Sequence, residues 1–199
     1  MSSQSRLSGV LAALVLSTMS CDVTSTAPVA GPAPAPSEDS ATHVARIRAA
    51  LEPLENGLLP HEVEAVARTL AAECRRAGVP PALALAVIGV ESSGDAFAES
   101  PVGALGLMQL MPATAKAVAH DHGLPWAGPR TLADPVANVQ LGVRYLARLL
   151  ARYDDVETAL AAYNWGPGRI GARLRNGEAL PAEYARRVLR RYGSIDRRI

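Results

Sequence analysis

The chain has 199 residues, of which 49% are hydrophobic and 20% charged, and a formal net charge of +1. That length holds one modest domain with appendages, and the composition is globular rather than disordered. Without its first 20 residues, which carry only Arg6, the chain is neutral, so it lacks the basic excess of a nucleic-acid binder.

Arg6 precedes an apolar run from Leu7 to Met19. The run is too short to span a bilayer but suits the hydrophobic stretch of a signal peptide, so residues 1–20 are read as one. Thr18-Met19-Ser20-Cys21 resembles the lipobox of bacterial lipoproteins, although Thr18 stands where that pattern has Leu. The resemblance implies an exported, periplasmic protein tethered to a cell-envelope membrane by a lipidated Cys21, with Asp22 pointing to inner-membrane retention. A plain secreted form is the alternative. Residues 21–41 are rich in Ser, Thr, Ala and Pro, with a Pro-Ala run from Pro32 to Pro36, and read as a stiffened spacer.

With one Phe, two Trp and five Tyr, the core must be aliphatic, which favours packed helices over a β-sandwich. Val44, Ile47, Leu51 and Leu54 recur at helical spacing in a short extension, residues 42–59, until Pro53 disturbs it. Pro60 opens a stronger helix with Glu62 and Glu64 in its first turn and Arg75 and Arg76 in its last, and Gly78 stops it. Cys74 lies in register with Val63, Val66 and Leu70 and reads as a buried thiol.

Pro80-Pro81 starts a third helix, apolar on every side and therefore central. Glycine-rich chain from Gly94 to Gly106 leads to a short helix after Pro112 that ends near Gly123. His120 and His122 at its end are a weak metal pattern and read as solvated. Asp134-Pro135 caps a helix with the stripe Val136, Val139, Val143, Leu146 and Leu150. Asp154 with Glu157 forms a capping box for an Ala-rich helix ending at Asn164, which Gly166-Pro167-Gly168 breaks. A last helix carries Tyr184, Val188 and Tyr192 on one face. Its arginines, Arg186, Arg187, Arg190 and Arg191, with Arg197 and Arg198 beyond, read as a solvated face or as a contact for an anionic polymer. The expected fold class is all-α.

Glu91 ends the most apolar helix of the chain. Burial and the negative end of the helix dipole both disfavour its anion, while Ser92, Ser93 and nearby backbone N–H groups oppose them. A carboxyl whose pKa is raised in this way can carry a proton near neutral pH and later take one back. A partly exposed helix-end glutamate is the plain alternative.

Three ordered motifs add to this. Glu91-Ser92-Ser93 with the stretch Ser100 to Pro112, then Asp134-Pro135 with Asn138, Gly142, Tyr145 and Leu146, then Ala162-Tyr163-Asn164 with Gly166-Pro167-Gly168, closely resemble the soluble lytic transglycosylases. The resemblance runs from about Pro60 to Tyr192 and marks residues 60–199 as the catalytic domain. It implies a lysozyme-like helical fold with a groove for alternating N-acetylglucosamine and N-acetylmuramic acid, no cofactor or metal, and peptidoglycan glycan strands as partner of a monomer. Glu91 falls on the catalytic acid/base. Ser100, Gln109, Met111, Tyr163 and Asn164 fall on groove positions and Tyr184 on a tyrosine that faces the groove. Each also has a local reading as a cap or packing residue.

Two positions depart from the family. Gly94 stands for an aromatic residue, which would loosen the wall beneath Glu91, and Trp165 replaces a small residue, where it would stack on sugar or narrow the groove. The reaction implied uses Glu91 alone to close a 1,6-anhydro ring without water. Asp95 or Glu99 as a second carboxylate would instead suit a hydrolase. A catalytically silent peptidoglycan-binding protein is the non-enzymatic alternative.

Overall fold

The computed structural model describes residues 38–54, 57–197 and 199. The signal segment, Cys21 and the Pro-Ala run lie outside the described residues. The helices among them are α1 (Glu38–Leu51), α2 (Pro60–Ala77), α3 (Pro81–Glu91), α4 (Pro112–Asp121), α5 (Pro135–Arg152), α6 (Val156–Trp165), α7 (Pro167–Arg175) and α8 (Glu183–Asp196), with a 3-10 turn at Pro129–Ala133. Only isolated β-bridges accompany them among the described residues, at Glu99–Leu105 and Leu105–Leu110. The architecture is all-α.

The all-round apolar helix α3 runs through the middle, buried from Ala82 to Gly89. It packs against α8, α2 and α1, while α5 packs against α2, α4 and α6. The α5 stripe behaves as its periodicity demands, with Val139, Val143 and Leu146 fully buried and Val136 and Leu150 at its margin. Cys74 is buried on α2, and burial pushes its thiol up to about 12, which leaves it protonated and unreactive.

Several local expectations need correction. The cap of α6 is Asp155, not Asp154: Asp155 Oδ2 accepts from the Thr158 N–H and from its hydroxyl, each at 2.8 Å. Asp155 serves as a simple N-cap through Thr158 and not as the capping box that Asp154 and Glu157 would form. Gly166-Pro167-Gly168 ends α6 but also starts α7, because Pro167 takes the first helical position, where no N–H is needed. Helix α1 starts at Glu38, inside the stretch read as spacer.

One buried ion pair joins α2 to α5. Arg144 Nε donates to Glu73 Oε2 at 2.8 Å and a terminal nitrogen donates to Oε1 at 3.1 Å, where Gln140 also donates at 3.1 Å. Burial disfavours the Glu73 carboxylate, but these hydrogen bonds and the charges of Arg144 and Arg76 outweigh it and hold its pKa below the usual glutamate range. A carboxyl with a lowered folded-state pKa contributes stability above the ordinary glutamate pKa and loses it as pH falls through the lowered value. Arg144→Met, which leaves Glu73 buried without its main partner, is expected to cost about 3 kcal/mol in urea denaturation at neutral pH. The deficit relative to the native chain should shrink on acidification, since the native chain loses the same contribution there.

Candidate active site

Glu91, the last residue of α3, opens into a cleft of about 560 Å³. On one side the cleft is bounded by the loop that joins α3 to α4, which supplies Ser100, Val102, Gln109 and Met111. On the other it is bounded by the C-terminal end of α6 and the start of α7, which supply Tyr163, Asn164, Trp165 and Arg169. Tyr145 of α5 forms part of the floor.

One buried side chain makes three hydrogen bonds to the backbone around the loop. Asn138 of α5 is fully buried, and its Oδ1 accepts from the Met108 N–H at 2.9 Å. Its Nδ2 donates to the Leu105 carbonyl at 2.8 Å and to the Leu132 carbonyl at 3.1 Å. Gly106 passes directly over this amide with φ +72°, where a Cβ would collide with the Asn138 side chain. Gly142, one helical turn further along α5, leaves the space that Met108 fills. The motif of Asn138, Gly142 and Tyr145 is thus the seat on which the Gly103–Met111 loop rests.

Within the loop Gln109 adopts φ +45°, unusual for a residue with a side chain. Its amide nitrogen donates to the Ala98 carbonyl at 2.9 Å and the Gly106 carbonyl at 3.0 Å, which offsets that strain and aims the residue into the cleft. Ser100 Oγ accepts from the Ala104 N–H at 2.9 Å. Met111 and Asn164 are exposed on opposite walls.

The electrostatics centre on Glu91. Its neighbours are not the expected serines: Ser92 Oγ donates instead to the carbonyls of Leu107, at 2.8 Å, and Ile88, at 3.2 Å. Tyr184 of α8 donates to Glu91 Oε1 at 2.7 Å. Burial raises the Glu91 pKa above the usual glutamate value, the Tyr184 hydrogen bond and the Arg187 charge pull it down, and burial prevails. Burial and the nearby Glu91 push the Tyr184 pKa well above the usual tyrosine value, so Tyr184 remains a proton donor.

Tyr184 therefore stands behind Glu91 as its hydrogen-bond partner and not in the cleft wall. Tyr163 is buried between Tyr145 and Tyr184, at centroid distances of 5.1 and 6.5 Å, and lies nearly parallel to Tyr184. Its hydroxyl donates to the Met108 carbonyl at 2.8 Å, not to Glu91. The structure thus brings Glu91, Ser100, Gln109, Met111, Tyr163 and Asn164 to one cleft and places Tyr184 in contact with it.

Asp95 and Glu99 are exposed and do not line the cleft; Asp95 Oδ1 accepts from the Phe97 N–H at 2.8 Å. Glu91 is the one carboxylate among the described lining residues. Gly94 does not loosen the wall: a side chain there would collide with Leu54, which follows α1 and fills the space from outside the motif region. Arg169 is a site residue that the sequence reading missed, and Arg187, read there only as part of an arginine-rich face, lies near enough to Glu91 to pull its pKa down. Arg187 follows Tyr184 by three residues and shares its helix face, a periodicity that could have flagged it. His120 and His122 end α4 on the surface, away from the cleft.

A helical domain with a cleft around one half-buried carboxyl, seated on a buried asparagine, has counterparts. The family model described as Transglycosylase SLT domain matches residues 69–185, more than half of the chain, and the chain belongs to that family. A transglycosylase of Enterobacteria phage PRD1 is 39% identical over 110 residues, covering 54% of this chain and 38% of the phage protein. The soluble lytic murein transglycosylase of Escherichia coli K12 is 37% identical over 100 residues, covering 49% of this chain and 16% of that protein. This chain therefore spans a minor part of the length of those relatives. Among solved structures, an inactive glutamate-to-glutamine mutant of the lytic transglycosylase Slt from Pseudomonas aeruginosa matches with a TM-score of 0.51 and 32% identity, over 64% of this chain and 21% of that one. A 70-kDa soluble lytic transglycosylase in complex with bulgecin A matches with a TM-score of 0.51 and 30% identity, over 57% of this chain and 20% of that one.

Two outcomes test the site. Asn138→Leu removes the partner of the buried Met108 N–H and a donor from the Leu105 and Leu132 carbonyls, and should cost about 3 kcal/mol in urea denaturation. Tyr184→Phe removes a hydrogen bond that favours the Glu91 anion, so the Glu91 pKa should rise further. The high-pH limb of any activity that needs protonated Glu91 should then move upward, which a pH–rate profile would show.

Proposed function

We propose that this protein is a lytic transglycosylase that cleaves the β-1,4 bond between N-acetylmuramic acid and N-acetylglucosamine in peptidoglycan and leaves 1,6-anhydro-muramic acid ends. The observation that carries this reading is the isolation of Glu91. A glycosidase that activates water uses a second carboxylate, and the described cleft residues include none. Membership of the Transglycosylase SLT domain family and the similarity to murein transglycosylases support the same reaction class.

In the reaction, Glu91, whose pKa burial raises, gives a proton to the glycosidic oxygen as the bond to C1 breaks. The N-acetyl group of the substrate supports the positive charge at C1. The Glu91 carboxylate then takes the proton of the C6 hydroxyl, whose oxygen bonds to C1 and closes the ring. Protons balance, no water is consumed, and Glu91 returns to its acid form. Tyr184 keeps the carboxyl oriented through both steps, and Gln109, Ser100, Met111, Tyr163 and Asn164 hold the strand.

Glu91→Gln keeps the shape of the side chain while removing the acid. Release of anhydro-muropeptides from purified sacculi should fall by more than a typical general acid's ~10²–10⁴-fold share, as read by mass spectrometry; products heavier by one water would instead mark a hydrolase. A carboxyl with a raised folded-state pKa contributes no penalty below the ordinary glutamate pKa and its full penalty above the raised one. The Glu91→Gln protein should therefore be more stable than the native chain by about 1 kcal/mol at neutral pH, and the gain should vanish in acid. Unchanged release of anhydro products would overturn the role of Glu91.

The same reading places the catalytic domain, as a monomer, outside the cytoplasm and tethered by lipid at Cys21. In this reading, attachment runs through the acylated cysteine. Cell fractionation should find the native protein with membranes and a Cys21→Ala variant in the soluble envelope fraction.

A further inference from the structure

Helix α7, which the sequence reading left out, brings two arginines beside the tryptophan that departs from the family pattern. Arg169 and Arg173 are four residues apart and share one face of the helix. Arg173 lies over the Trp165 ring, 5.5 Å from its centroid. One Arg173 nitrogen donates to the Ala179 carbonyl at 2.8 Å and lies 3.6 Å from Glu178 Oε2, so the loop after α7 both holds this residue and compensates its charge. The indole is thereby supported on one side by a fixed cation while 40% of the residue stays exposed at the cleft.

Arg169 differs from Arg173 in a way that matters for binding. It is exposed, lines the cleft, and has no acidic partner among the described residues. Glu91 and Arg169 are the charged groups that line the cleft. When Glu91 holds its proton, Arg169 is the remaining charge there. A cleft that carries one uncompensated guanidinium beside an aromatic face suits a ligand with an apolar ring face and an anion next to it.

We propose that Trp165 and Arg169 form a subsite in which a sugar ring rests against the indole while a carboxylate on that sugar's substituent pairs with Arg169. The proposal rests on the peptidoglycan reading, in which two sources carry this chemistry: the free lactyl carboxylate of a peptide-free muramic acid, or a carboxylate of its stem peptide. Both lie on the muramic acid side, so the pair selects which sugar occupies this end of the cleft. Arg173 is a positioning residue that orients the indole.

Binding is measured by calorimetry on the full chain carrying Glu91→Gln, so that strands are not consumed. The probes are strands bearing stem peptides, amidase-stripped strands with free lactyl carboxylates, and chitin oligosaccharides of equal length without carboxylates. Adding Arg169→Gln should weaken one or both of the carboxylate-bearing probes about fivefold, an effect that fades at high salt, and chitin by less than about twofold. Whichever probe loses affinity identifies the source. Adding Trp165→Ala should weaken all three about tenfold. Arg169 is exposed, so its replacement should fold normally, and circular dichroism would check both variants. Equal loss on all three probes with Arg169→Gln, or no loss on any, would overturn the subsite while leaving the lytic reading intact. Failure of the parent to bind any strand, with no anhydro product from the unsubstituted chain, would overturn both.

Discussion

The side-chain amide of Asn138 is the constraint on which the site depends. It lies inside the protein on α5, the helix whose Tyr145 lines the cleft, and serves backbone groups of Leu105 and Met108, far away in sequence, and of the nearby Leu132. A loop this rich in glycine has high entropy when free and few side chains to anchor it. Buried backbone groups need partners, and the Met108 N–H finds its partner outside the loop, in Asn138. One asparagine satisfies donor and acceptors together because its amide offers both. Gly106 makes room for the amide and Gly142 for Met108 beside it.

Glu91 illustrates the opposite economy. A charge at the end of an all-apolar helix is a destabilising feature, and the protein tempers it without removing it. Tyr184 and Arg187, both from α8, favour the anion, yet burial prevails and the pKa stays raised. The Glu73–Arg144 pair shows what full compensation looks like in the same protein: two hydrogen bonds from arginine and one from Gln140 drive that carboxylate's pKa down despite burial. The first carboxyl holds its proton more tightly than an ordinary glutamate and the second less tightly. The difference lies in the number of donors each one meets, since both are removed from water.

Segments outside the recognisable motifs pack around the site. Leu54, which follows α1, occupies the volume above Gly94 in the turn that leaves Glu91. Helix α7 and the loop after it hold Arg173 over Trp165 and place Arg169 at the cleft edge. Close packing transmits such choices, because a space left by one residue is filled by another from elsewhere in the chain. The departures at Gly94 and Trp165 are therefore met by neighbours that compensate or extend them.

Much of this was legible in the sequence because the determinants are local. Periodicity placed the long helices and the central α3, proline and glycine marked their ends, and the resemblance of three motifs to a known family implied one cleft around Glu91, Gln109 and Tyr163. What tertiary structure alone decided involves partners far apart in the chain. No pattern within a dozen residues could pair Tyr184 with Glu91, Asn138 with Met108, Arg144 with Glu73 or Leu54 with Gly94. The hydroxyl of Tyr163 pointed to the site in sequence but turned out to hold the loop through Met108. Residue type and local spacing set which groups are available and which face of a helix carries them. Only the packing of helices against one another sets which donor reaches which acceptor, and hence which carboxyl keeps its proton.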